Sequence, residues 1–232
     1  NYVSALLNLY TDDDYDINLY ITWCLCGISG SSQKISECLI PLHIFDFLGN
    51  KFINCQNEVI QSLFIRITSN LLIGHDLDYN DFINCQLFQD FITIFDDSSL
   101  KIKKEIIRLI CYLVLRLRDK FIPTFVELKL IHFFIDALYL NGSFKTKRYV
   151  IIAIDTIINV YYLLNKEQDV NAHDQLQNSK CVDLIESILQ DMNLIEAIDD
   201  FIYENNEPVP SKGLNTAIDV QRALYELNSL ES

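Results

Sequence analysis

An apolar stripe at helical spacing returns at Trp23, Arg66, Arg108 and Ile152, in steps of 43, 42 and 44 residues. No other feature limits the fold of this chain as much. In the first unit Leu19, Ile21, Trp23, Leu25 and Ile28 suit a helix buried on most sides. The second carries Ile60, Leu63, Phe64, Ile67 and Leu71, an i, i+3, i+4, i+7 pattern, and the third carries Ile102, Ile106, Leu109, Ile110, Leu113 and Leu117. The fourth, Val150 to Leu164, is apolar nearly all round, as an inner helix of a stack must be. The pattern predicts long helices beginning near Asp16, Val59, Lys101 and Phe144. Each is followed by a polar turn (Ser29 to Gln33, Gly74 to Asn80, Arg118 to Lys120) and then by a shorter apolar helix pair (Leu39 to Leu48, Phe82 to Phe95, Val126 to Leu140). A second polar turn, Asp96 to Ser99 or Asn141 to Lys147, leads to the next long helix.

A period of about 40–47 residues carrying two or three helices is the signature of armadillo and HEAT units, which stack because one unit alone cannot cover its apolar face. The expected fold is all-α, an armadillo/HEAT-like right-handed superhelical repeat, that is, an α-solenoid. Residues 1–164 read as about four such repeats, the first one partial, and the chain, opening at Asn1 without a methionine, reads as a fragment. Residues 165–180 (NKEQDVNAHDQLQNSK) carry almost no apolar anchor and read as a polar flexible insert. Residues 181–232 then supply two helices, about Cys181 to Ile202 and Asn215 to Leu230, around the Pro208–Pro210 turn. The second has one apolar and one polar face, as a capping repeat requires. Six Gly and four Pro are too few for a turn-rich all-β fold, and a hydrophobic content of 50% excludes disorder throughout.

The balance of 18 basic against 32 acidic residues, net −14, repels phosphate backbones and anionic membranes, so neither nucleic acid nor membrane is an expected partner. The same charge either steers a basic partner or only keeps an apolar chain in solution. The longest apolar run contains Asp155 and falls short of a membrane span. The seven cysteines (Cys24, Cys26, Cys38, Cys55, Cys85, Cys111, Cys181) have no framework spacing. Only Cys24 and Cys26 are close, and two residues apart on a helix they diverge, so reduced thiols in an intracellular protein are expected. His43, His75, His132 and His173 are scattered, and HExxH, P-loop, GxGxxG and nucleophile-elbow motifs are absent. No catalytic activity, metal or cofactor is expected.

Several stretches resemble the importin-α family, the armadillo adaptors of nuclear import. Thr22-Trp23-Cys24-Leu25-Cys26-Gly27-Ile28 resembles a groove helix of that family, which carries Trp and, four residues later, Asn. Residues 66–76, RITSNLLIGHD, resemble the unit in which Arg replaces the Trp and Asn precedes a Gly-x-Asp turn. Residues 101–105 (KIKKE) and 143–148 (SFKTKR) resemble the starts of the next two groove helices, and Leu194 to Ile198 with the closing helix resembles the capping unit. The resemblance implies a nuclear-import adaptor, present in cytoplasm and nucleus, that holds proteins carrying Lys/Arg-rich signals and meets an importin-β-type carrier and an export receptor. The export receptor would dock on the acidic cluster Glu196, Asp199, Asp200, Glu204 and Glu207, which otherwise reads as the polar cap of a stack.

By the same resemblance the peptide-binding residues are Trp23, Arg66 and Asn70, with Asp16, Asp76 and Glu105 as carboxylates for the charged ends. Trp faces hold lysine stems, and Asn can donate to and accept from a peptide backbone at once. Plainer readings stand beside these: Trp23 as core, Asn70 as a helix-end residue, Asp16 as part of a capping acidic run, Glu105 as a favourable charge in a first turn. Arg66 and Arg108, on apolar helices, require acidic or carbonyl partners if buried. The ladder also departs from the family: Gly27 stands where Asn is expected, and the next two Trp/Asn positions fall on Arg108/Tyr112 and Ile152/Thr156. A divergent armadillo or HEAT scaffold that assembles proteins without reading localisation signals is therefore the alternative.

Overall fold

The computed structural model describes residues 2–11, 14–74, 79–140, 144–167, 183, 185–204 and 212–229, and no strand occurs among them. The chain divides into two units, Asn1–Leu109 and Ile110–Ser232, with the boundary inside one long helix.

The first unit holds α1 (Tyr2–Leu9), α2 (Tyr15–Ser29), α3 (Gln33–Ser36) running into a 3-10 segment Glu37–Leu42, α4 (Ile44–Phe52), α5 (Glu58–Gly74), α6 (Tyr79–Ile83), α7 (Gln86–Thr93) and the first part of α8 (Leu100–Leu117). Local chemistry fixes the helix starts. Asp14 caps α2, its carboxylate accepting the Ile17 N–H at 3.0 Å. Buried Asn18 accepts the Thr11 N–H at 3.1 Å and donates back to the Thr11 carbonyl, which fixes the chain's entry to α2. Ahead of α5, the Asn57 side chain accepts from the N–H groups of Val59 at 2.9 Å and Ile60 at 3.2 Å. The long helices α2 and α5 pack against each other, and α4 packs on both α5 and α7. Phe52 sits at the centre of this core, edge-on to Phe91 with ring centroids 4.8 Å apart and 6.5 Å from Phe64.

The second unit continues α8 through a 3-10 turn, Arg118–Lys120, into α9 (Ile122–Glu127), α10 (Ile131–Tyr139) and the 24-residue α11 (Phe144–Glu167). A helical stretch at 185–189 follows, then α12 (Met192–Glu204) and α13 (Lys212–Ser229). Helix α11 packs on α10 and α13, while α12 packs on α10 and α13. Its core includes Phe125 against Phe134, at 5.1 Å, and buried Phe201, on which the exposed Phe144 stacks at 6.1 Å.

The four long helices begin at Tyr15, Glu58, Leu100 and Phe144, each within a residue of the start that the periodicity predicts. Other boundaries differ: the last helix opens at Lys212, three residues before Asn215. The stretch Cys181 to Ile202, expected as one helix, is interrupted at residues 190–191, where Asp191 restarts the chain by accepting the Asn193 N–H at 2.9 Å. Helix α11 runs to Glu167, three residues (165–167) into the segment expected as a polar insert, and residues 168–180 lie outside the described residues. Among the described residues no helix is long and apolar enough to cross a membrane.

Candidate functional site

Three helices of the first unit carry the residues that the sequence singles out. On α2, Asp16 lies exposed in the first turn, and Trp23, two turns on, is 52% exposed. Trp23 is therefore not core; its indole offers an open apolar face. Four residues further, Gly27 is exposed, with nothing within 4 Å of where a Cβ would stand. The position that would hold Asn in the resembling family is thus open space.

On α5 the side chains of Arg66 and Asn70 are one turn apart and half-buried. The Asn70 amide turns back onto α2, where its Nδ2 donates to Ser29 Oγ at 3.2 Å and reaches the Cys26 carbonyl at 3.5 Å. Gly30 permits this, since a Cβ there would stand 3.0 Å from the Asn70 Nδ2. The donor end of Asn70 is therefore spent on joining two helices, and Oδ1 is the end not used in those bonds. Asp76 lies outside the described residues.

Glu105, on α8, is the pivot of the face. Its side chain is 11% exposed, and Oε1 lies 2.5 Å from Arg66 Nη2 while Oε2 lies 3.1 Å from Arg108 Nη1. The two arginines keep 38% and 44% of their side-chain surface in solvent. Both carboxylate oxygens are thus committed within the protein, and the triad as a whole carries a positive charge. Glu105, expected from the resemblance as a carboxylate for a ligand's charged end, is here paired within the chain: 39 residues separate it from Arg66 in sequence, yet α5 and α8 bring them together. The hydrogen bond to Glu105 raises the Arg66 pKa above its ordinary value, against an opposing effect of burial. Arg66 Nε is buried without a hydrogen-bond partner, so the guanidinium relies on Glu105. The Cys26 thiol on α2 is pushed up by burial first, with the nearby Arg66 pulling the other way.

The acidic cluster of the second unit is split by its packing. Glu196, Asp200 and Tyr203 lie exposed along one side of α12. Asp199 is instead tied to α13, accepting from Gln221 Nε2 at 2.8 Å and from the Tyr225 hydroxyl at 2.7 Å, which holds the phenol pKa up. Nothing is described for the side chain of Glu204, and Glu207 lies outside the described residues. Among the described residues no group of three His, Cys, Asp or Glu is placed to hold a metal ion.

No family model and no curated protein matches the chain. Solved structures do. An engineered protein aligns at a TM-score of 0.64 with 16% identity, covering 99% of both chains. A designed armadillo repeat protein in complex with the peptide (KR)4 aligns at 0.60 with 12% identity, covering 98% of this chain and 99% of that one. Computationally designed armadillo repeat proteins for modular peptide recognition align at 0.60 with 12% identity over 97% of this chain and 99% of theirs. The fold is the armadillo-type, all-α solenoid.

Proposed function

We propose that this chain is a non-catalytic scaffold that lays an extended segment of a partner protein across the face formed by α2, α5 and the first part of α8. The observation that carries the proposal is the row Trp23, Arg66, Arg108. Three equivalent positions of the repeat, one on each helix, hold large side chains that stay partly in solvent instead of closing the core. An exposed indole and two half-exposed guanidiniums offer flat surfaces and donors, which are the groups an extended peptide needs from a wall of helices. Designed armadillo proteins that bind peptides share the fold and supply the analogy.

The finer reading, a nuclear-import adaptor that takes Lys/Arg-rich signals and hands them to a carrier, draws on exposed Trp23 and on the (KR)4 complex of a designed relative. Three local facts weigh against it. Glu105 is closed between two arginines, Asn70 has turned its amide into α2, and Gly27 supplies no side chain at all. A scaffold that does not read basic localisation signals is the function this geometry supports better.

The test is selection of extended peptides from a random library on the whole chain, followed by titration with fluorescence from Trp23, the single tryptophan. Binders that shift Trp23 emission and protect amides of α2, α5 and the start of α8 from hydrogen exchange are expected. Binders that leave both unchanged place the site elsewhere and overturn the proposal.

A further inference from the structure

We infer that the segment held on the α5–α8 part of this face is acidic: an extended stretch of a protein partner carrying closely spaced Asp or Glu residues. The inference rests on the scaffold reading above and gives its partner a chemistry.

The chain carries −14 overall, so a cationic surface on it is a local departure. Helix α8 concentrates that departure. Its sequence LKIKKEIIRLICYLVLRL holds Lys101, Lys103, Lys104, Arg108 and Arg116, five of the chain's 18 basic residues, against Glu105 alone. Lys103 is engaged over the Phe95 ring, at 5.1 Å from its centroid. Lys101, Lys104 and Arg108 are spaced i, i+3, i+7 and so share one side of the helix; Lys101 is exposed and Lys104 half-buried. Arg66 joins this side from α5 through Glu105. Two guanidiniums therefore pair with one carboxylate, one on each of its oxygens, while Lys101 and Lys104 share that side of α8. No acid lies in the first turn of α8, and Glu105 is the one acid of that helix.

A lysine-bearing peptide would have to approach Arg66 and Arg108 with no free carboxylate to receive it, which is unfavourable without any steric clash. A glutamate or aspartate meets guanidinium donors beyond those already used on Glu105, since each guanidinium has five N–H groups.

The experiment compares two peptides of equal length and aromatic content, one with alternating Glu and one with alternating Lys, titrated calorimetrically into the whole chain at low and high salt. The acidic peptide is expected to bind at least about tenfold more tightly at low salt, with the difference shrinking as salt screens it. Lys104→Ala with Arg108→Ala should weaken the acidic peptide by about tenfold while the chain stays folded and melts within a few degrees of the parent, because Arg66 still neutralises Glu105. Arg66→Glu is the sharper change but risks the fold, so the double alanine variant is the deciding one. Tighter binding of the basic peptide overturns the inference and leaves the scaffold standing. Acidic binding that survives the double alanine variant also overturns it. A single-stranded oligonucleotide that competes as well as the acidic peptide would show a general anion surface and refute the assignment to a protein partner. Failure of both charged peptides together with the library selection is the distinct outcome that removes the scaffold reading itself.

Discussion

Replacing Glu105 by Gln keeps the shape of the side chain and removes its charge. The cost is set by how dry the triad is. At an effective dielectric of about 20, a charge pair 4 Å apart gains about 4 kcal/mol before desolvation is subtracted. Glu105 is 11% exposed and has given up most of its water, but Arg66 and Arg108 at 38% and 44% have not. The net value therefore lies between the 0.2–1 kcal/mol typical of exposed pairs and the 3–5 kcal/mol lost on breaking a buried one, at about 1–2 kcal/mol. For a chain of this length that corresponds to a melting temperature lower by about 2–8 °C. The loss should narrow at high salt, because with the carboxylate gone the two guanidiniums repel through partly aqueous surroundings. Circular dichroism melts of the parent, Glu105→Gln, Arg108→Ala and the double variant, at two salt concentrations, measure both the loss and the coupling. A Glu105→Gln protein that melts within a degree of the parent, with no coupling to Arg108, would show that the two ion pairs contribute nothing net to stability.

Other consequences are simpler to read. Gly27→Ala should stabilise α2 by about 0.5–1 kcal/mol, seen as a higher urea midpoint, because the added methyl meets nothing within 4 Å and a helical Gly costs about that much. Asp14→Ala should cost about 1 kcal/mol in the same measurement, through loss of the cap on Ile17. Asp155, on α11, has its carboxyl pKa raised by burial first and then by Asp219. Its contribution is therefore complete below the ordinary aspartate range and is lost as pH rises through the raised folded value. Asp155→Asn should be more stable than the parent near neutral pH, with the gap closing in acid, as melts across pH will show.

The long helices were legible from their apolar period, which lands within a residue of each observed start. At two of them, Asp14 and Asn57, the structure adds a side-chain cap on the first free N–H groups. The breaks inside the short helix pairs were not legible, and the reason is chemical. His43 at φ 52° and Lys129 at φ 53° take the left-handed conformation that Gly or Asn normally announces. At Lys129 the full helix-ending pattern is present, with Leu130 N–H on the Phe125 carbonyl and Lys129 N–H on that of Val126, both near 3 Å. Nothing in the residue type signals it. The packing that follows, Phe125 on Phe134, holds the strained residue in place.

The candidate face divides along the same line. That Arg66 and Arg108 required a partner follows from two cations on apolar helices, a one-residue argument. That the partner is Glu105, and serves both at once, depends on how α5 and α8 sit side by side, and an i, i+3 relation reveals only the Arg108 half. Asn70 shows the same limit: its residue type suits a peptide backbone, but the absence of a Cβ at Gly30 lets α2 take its amide instead. Charge is where the difference matters most. A net −14 invites a basic partner, yet net charge fixes only the far field, which salt screens beyond about 8–10 Å. Inside that distance a ligand responds to the few groups it touches, and on the proposed face these include Arg66 and Arg108, paired with Glu105, and Lys104 on the same side of α8. The long-range field and the contact chemistry of one chain can thus favour opposite charges. An acidic segment would then approach against the overall charge and be held by the local one, which predicts slow association at low salt that quickens as salt is added, while the equilibrium affinity falls.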